Sequence, residues 1–343
     1  MIKDVNVTID IQKVVGLPTL NFPYLIFAVD DEEAVVPYTE VTIDSEIENE
    51  KVKKFVDALK KEDNPPEKIA FRGLTITNNT GTGVVSALND DIENGWRQLV
   101  CLDIGSADEM KNIMDYIEST DKLLYVPYTV LPSKTALGNK VYERTIVVKV
   151  DDGDDDNAKS HEIETIACIL GATCGLQAGS FTYKNIIVNG GYVTSNKAYR
   201  TATATSGYIP FIAILEKAGD KVTSDGVTIG GDYIDIIDSK DYIVNQIEYQ
   251  VQKVLNEQDK VPYTNTGISM LEAAALNVLK TAYNNGMIAD NSDGSPAYSV
   301  SFGLREDAEA EDIQTRKYVE GTFEFVVSGA IHTVKINGTI KYV

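Results

Sequence analysis

Residues 97–126, RQLVCLDIGSADEMKNIMDYIESTDKLLYV, contain one complete strand–helix–strand unit. Leu99–Leu102 is a short apolar run bounded by polar residues, the signature of a buried strand. Ser106 followed by Glu109 has the spacing of a capping box, which satisfies free N–H groups at a helix start. Met110, Ile113, Met114 and Ile117 then recur at helical spacing on one face. Leu123–Val126 is the next apolar run. Strands that are apolar throughout, joined through a helix, belong to a parallel sheet covered on both faces, with right-handed crossovers.

The same alternation extends in both directions. Upstream, Tyr24–Val29 reads as a strand, a helix after Ser45 carries Val52, Phe55, Val56 and Leu59, and Pro65 and Pro66 close it. Ile69–Leu74 is a strand, and Val84, Val85, Leu88 and Ile92 share a helix ended by Gly95. Downstream come a strand at Thr145–Val150, a helix with Ile163, Ala167, Leu170 and Cys174 on one side, and a strand at Asn185–Val188. Gly230-Gly231, between Ile229 and Tyr233, marks a hairpin turn. Residues 19–238 are therefore expected to form an α/β domain with a largely parallel sheet.

The character changes after that. Ser239 or Asp241 is expected to open a helix carrying Ile243, Ile247, Val251 and Leu255. Ser269 and Glu272 suggest a second capping box, for a helix with Leu271, Ala275, Val278 and Ala282 that stops at Asn285-Gly286. A strand at Tyr298–Phe302, an acidic linker at 306–312 and a strand through Phe323, Phe325 and Val327 complete a smaller α+β domain over 239–329.

Both chain ends alternate with period two and have no partner nearby in sequence. Val5, Val7, Ile9 and Ile11 define an N-terminal arm over 1–18, with Gly16 and Pro18 as its hinge. Val334, Ile336, Ile340 and Tyr342 define a C-terminal arm over 330–343. A strand must pair its backbone groups, so these ends call for an edge in the same subunit or in another copy. Asn337-Gly338 leaves open a hairpin within the tail itself.

Composition narrows the function classes. The 343 residues are 43% apolar, enough for more than one core, and carry a formal net charge of -21. Phosphate binding demands a basic face, so nucleic acid is disfavoured as a partner, as is an anionic membrane surface. The last 31 residues carry four basic side chains against two acidic ones, a basic tail on an acidic body. No secretory signal or membrane-spanning run is read, and no membrane insertion is expected. Cys101, Cys168 and Cys174 lack metal-ligand spacing and read as buried reduced thiols.

Catalytic patterns were sought in the same way. There are two histidines, His161 and His332, and no G-x-S-x-G elbow. Counted from Asp151, the acidic run Asp151–Asp156 has Glu162 at the twelfth position of a calcium loop but Asp156 where the turn glycine belongs, and counted from Asp152 it has neither, so it reads as a solvated acidic loop and no metal site is assigned. Gly81-Thr82-Gly83 lacks the lysine of a phosphate loop and reads as a tight turn.

Three stretches carry a resemblance: DGVTIGGDYIDIIDSKDYIVNQIEYQVQKVL from Asp225, KVPYTNTGISMLEAAALNVLKTAYNNGMIA from Lys260, and FEFVVSGAIHTVKINGTIKYV from Phe323. Their order is similar to the C-terminal half of contractile tail sheath proteins of myophages and phage-tail-like bacteriocins. A small-residue helix with Gly171 and Ala172, followed by Gly179-Ser180-Phe181-Thr182-Tyr183-Lys184, extends the resemblance over 160–343. It implies a larger domain that is subtilisin-like in fold only, without a protease site or cofactor. It implies subunits in six-fold rings stacked helically around an inner tail tube protein, with baseplate and tail terminator proteins as further partners. The place would be a virion tail or tail-like particle assembled in a bacterial host cytoplasm. The arms would be lent to neighbours as added strands, and contraction would drive the tube through an envelope. The competing reading is an α/β enzyme or ligand-binding protein, with a pocket at the carboxyl ends of the parallel strands.

Overall fold

The computed structural model describes residues 21–335 apart from 31–33 and 152. The N-terminal arm, its hinge Gly16 and Pro18, and Ile336, Ile340 and Tyr342 lie outside the described residues.

The larger unit runs β1 (Pro23–Val29), β2 (Val36–Thr42), α1 (Glu50–Leu59), β3 (Lys68–Thr75), α2 (Gly81–Asp91), β4 (Gln98–Cys101), α3 (Ala107–Ile117), β5 (Leu123–Pro127), α4 (Lys134–Leu137), β6 (Thr145–Val148) and α5 (Ala158–Thr173). Its six strands lie in the order β2-β3-β1-β4-β5-β6. Every neighbouring pair is parallel except the edge pair β2–β3, which is antiparallel and bulged between Val36 and Thr39. The largely parallel sheet expected from the sequence is present.

Alternation along β1 divides the core. Leu25 and Phe27 face α1 and α5, whereas Tyr24 and Ile26 face α2 and α3. The predicted stripe Met110, Ile113, Met114 and Ile117 is wholly buried on the second face. Two glycines permit the closest helix contacts. A Cβ at Gly171 would stand 2.3 Å from the Leu59 carbonyl oxygen, and one at Gly81 would stand 2.4 Å from that of Glu109. Both approaches close only with hydrogen in place of a side chain.

After α5 the chain forms α6 (Asn196–Thr203) and a hairpin of β7 (Ile214–Lys217) and β8 (Asp220–Thr223). The expected strand at Asn185–Val188 is reduced to a single bridge, Ile187 to Val222. Asn185 has φ 62°, which breaks the extended run before it can propagate. The turn at Gly230-Gly231 is present, with Gly231 at φ 92° and Val227 bridged to Tyr233.

The smaller unit is α7 (Ile234–Glu257), α8 (Asn265–Asn284), β9 (Tyr298–Phe302), α9 (Ala310–Thr315) and β10 (Gly321–Phe325). Ile243, Ile247 and Val251 of α7 pack against Ala275, Val278 and Ala282 of α8. Three expected helix starts need correction. At α3, Ser106 holds the N-cap position but its side chain makes no cap bond, so the first turn rests on backbone bonding from Met110 to Ser106. α8 begins at a Thr264 cap, whose Oγ1 accepts from Gly267 N at 3.3 Å, leaving Ser269 and Glu272 inside the helix. α7 begins at Ile234, so Ser239 and Asp241 are interior and the expected boundary at 238 falls within a continuous helix. Both look like caps because they are short polar residues, but their groups are used elsewhere: Ser239 Oγ bonds to Asp235 O at 2.7 Å, and Asp241 meets two arginines.

Candidate inter-subunit surface

The smaller unit ends in a two-stranded antiparallel sheet. Tyr298, Val300 and Phe302 alternate with exposed Ser299 and Ser301 along β9, and Phe323 and Phe325 flank exposed Glu324 on β10. Val300 stands opposite Phe323 and Tyr298 opposite Phe325, so the apolar side chains share one face. That face packs on α7 and α8, yet all five side chains stay only half buried. Two strands alone are marginal in water, and a third strand or a covering layer normally completes such a sheet. A groove of about 730 Å³ runs beside β10, lined by Ile236, Lys240, Phe323, Phe325 and Val327 among others.

The chain leaves this sheet as bare backbone. Val327 bridges Ile288, and Ser328 N bonds to Met287 O at 2.9 Å. Residues 329–335 then form no helix or strand with the described residues. Ile331 is 85% exposed and Val334, the one described member of the expected C-terminal arm, is 72% exposed. The acidic linker at 306–312 is more ordered than its composition suggests. Arg305–Asp307 forms a helical turn, α9 follows, and Arg305 N and Glu306 both bond to the Asn265 side chain at the start of α8.

A buried charge cluster ties the two units together. Arg97, just before β4, donates to Asp238 Oδ1 at 2.6 Å and to Asp241 Oδ2 at 2.8 Å. Arg144, just before β6, grips both oxygens of Asp241 at 2.6 and 2.8 Å. Burial alone would raise the Asp241 carboxyl, but the two guanidiniums hold it far below the usual carboxylate range. Tyr183 of the motif at 179–184 donates to Asp238 Oδ2 at 2.9 Å. Sequence reading missed this cluster. Its trace is the pair Asp238 and Asp241, three residues apart on a helix face that also carries Ile234 and Ile237.

The residues weighed for catalysis do not come together. His161 stacks on Tyr192 with ring centres 3.8 Å apart, whereas His332 meets Tyr233 at the root of the tail. His161 is half buried. No group of three His, Cys, Asp or Glu side chains placed to hold a metal ion occurs among the described residues. A cleft of about 390 Å³ does open at the carboxyl ends of the strands, beside Leu102 and Asp103, where the strand order reverses between β1 and β4. Its lysines are already engaged: Lys51 with Asp103 at 2.9 Å, Lys54 with Ser160 at 3.1 Å, and Lys159 with Ile104 O at 2.8 Å. No histidine or cysteine lines it.

Comparison with known proteins agrees with the resemblance read from the sequence. Residues 234–340 match the family described as E217 tail sheath protein gp31-like, C-terminal domain. No curated protein matches. The whole chain is similar in fold to a chain of the anti-feeding prophage baseplate, six-fold symmetrised, with TM-score 0.68, 14% identity, and coverage of 100% of this chain and 99% of that one. The anti-feeding prophage helical sheath in its contracted state follows, with TM-score 0.66, 14% identity, and coverage of 99% and 98%. A sheath tail protein from Listeria innocua has TM-score 0.58 and 8% identity, with coverage of 92% and 96%.

Proposed function

We propose that this chain is the structural subunit of a contractile tail sheath, polymerising helically around an inner tube and contracting to drive that tube through a cell envelope. The observation that carries the reading is the open sheet β9–β10 beside a tail that departs without pairing. The likeness along nearly the full length to a chain of a contracted helical sheath supports it. We read the larger unit as subtilisin-like in architecture only, and the chain as a structural protein rather than an enzyme.

In this reading the arms complete open sheets in neighbouring copies. Each free edge of a five-residue strand such as β10 offers roughly four backbone hydrogen bonds, each worth about 0.5–1.5 kcal/mol net. Covering the half-buried faces of Phe323 and Phe325 adds roughly 25 cal/mol per Å² of apolar surface. One such contact is modest, but every copy makes it, so the terms add along the polymer. The donors are Val5, Val7, Ile9 and Ile11 at one end and Val334, Ile336, Ile340 and Tyr342 at the other. The further partners are the inner tube, the baseplate and the tail terminator, in a virion tail or tail-like particle built in a bacterial host.

Electron microscopy of the purified full chain tests this. Long hollow tubes are expected, and removal of residues 330–343 should leave a folded protein that forms none. A compact monomer at high concentration would sink the sheath reading. Normal tubes from the truncated chain would remove the arm from its role.

A further inference from the structure

We infer that Thr182 of the larger unit and Tyr233, just before α7, form a seat for the chain's own tail, occupied by His332, so that the free C-terminal arm begins at Thr333. The His332 Nε2 and Thr182 Oγ1 stand 2.9 Å apart across 150 positions of sequence. The imidazole meets the Tyr233 ring edge to face, with centres 4.8 Å apart at 87°. Thr182 Oγ1 also accepts from Lys184 N at 3.4 Å, which ties the hydroxyl to the motif's own backbone. A hydroxyl can donate or accept, so Thr182 can hold the imidazole nitrogen in either tautomer.

Exposure along the tail singles out this contact. Within 331–335 only His332 is half buried, while its neighbours on both sides are exposed. A freely swinging tail would show no such alternation around one polar residue. The seat also gives the motif at 179–184 a use along its length: Gly179 lies against Ser239, Thr182 holds the tail, Tyr183 holds Asp238, and Lys184 pairs with Asp225. The tail therefore crosses from the smaller unit, where Ser328 is bonded, onto the larger one before it leaves. Its direction of departure is fixed by both units, and the slack between Gly329 and Ile331 is closed into a short loop.

The meaning of the seat rests on the sheath reading, but its existence can be measured before any assembly. A nitroxide is placed on exposed Ile331, between the bonded Ser328 and the seated His332, through Ile331→Cys in the full-length, unpolymerised protein, where Cys101, Cys168 and Cys174 are buried from the reagent. Electron paramagnetic resonance should give a largely immobile spectrum. His332→Ala should lower the ratio of immobile to mobile signal about tenfold, the order expected for one hydrogen bond plus one aromatic contact, and Thr182→Val, which loses the bond alone, about fivefold. Thr182→Val keeps the side-chain shape, so an unchanged far-ultraviolet melt separates loss of the bond from loss of fold. A mobile spectrum in the parent, or identical spectra in all three proteins, overturns the seat. Failure of the parent to form tubes would instead strike the sheath reading and leave the seat standing.

Discussion

Asp241→Asn probes the junction between the two units at its most constrained point. The substitution keeps volume and removes one charge. Arg144 then loses both of its charged acceptors, since its two terminal nitrogens bond only to Asp241. Its Nε has no partner to fall back on. Arg97 retains Asp238 and the Asp121 carbonyl, so one guanidinium is stranded rather than two. Stranding a buried charge costs about 3–5 kcal/mol, because desolvation is no longer offset by a counter-ion. At about 2–4 °C per kcal/mol for a domain of 150–250 residues, the melting temperature should fall by roughly 6–20 °C. Urea unfolding should show a lower midpoint with an unchanged slope, the mark of lost stability rather than a changed unfolded state. The double variant Arg144→Met with Asp241→Leu should recover most of the loss, since an apolar pair leaves no stranded charge. A single variant within about 1 kcal/mol of the parent, or a double variant no better than the single, would refute the argument.

Two further outcomes follow from the interior. Gly171→Ala places a methyl group 2.3 Å from the Leu59 carbonyl oxygen. The steric cost of about 1–3 kcal/mol should outweigh a helix-propensity gain of about 1 kcal/mol or less, and a stabilised variant in urea titration would contradict the α1–α5 contact. Burial pushes the Lys122 ammonium down to about 8, whereas an unfolded lysine keeps its proton to about 10.4. Between about pH 8 and 10.4 the unfolded chain thus binds more protons at this lysine, so the Lys122 contribution to stability rises with pH across that window, against an opposing fall from the buried thiols Cys101, Cys168 and Cys174, which burial keeps protonated in the folded chain. Lys122→Met should remove the lysine's part, so that the variant loses stability with rising pH more steeply than the parent, and equal slopes in the two proteins would show that Lys122 does not carry it.

The parallel sheet was legible because its signal is local. Apolar runs such as Leu123–Val126 and the stripe on α3 need only their own spacing to be read, and burial on both faces follows from continuity. Helix starts were less legible. Ser106, Ser239 and Ser269 all fit the cap pattern, but Ser106 makes no cap bond and the other two lie inside helices. The β7–β8 hairpin escaped notice because its turn is Ala218-Gly219, both at positive φ, where asparagine or aspartate usually gives the signal. Of the charge cluster only the acidic half leaves a trace, Asp238 and Asp241 on an apolar helix face, since Arg97 and Asp238 are 141 positions apart and meet only through the fold.

The same cluster bears on how such a subunit could change its surroundings. α7 is 24 residues long, about 36 Å of continuous helix. Its first two turns are held to the amino ends of β4 and β6 through Asp238 and Asp241, and its later turns pack on α8. Swinging one unit against the other would have to bend that helix or part buried ion pairs, at a cost of several kcal/mol. Past His332 the tail carries no such restraint: it has no backbone pairing among the described residues, and it exposes Val334. If copies of this chain shift against one another, the strain therefore falls on the short connections to the arms, while each body travels as one piece. Inserting glycines between Thr333 and Val334 should then leave the melting temperature of the isolated chain unchanged and alter only the spacing of the polymer. A fall in the melting temperature of the unassembled protein would place the compliance inside the body instead.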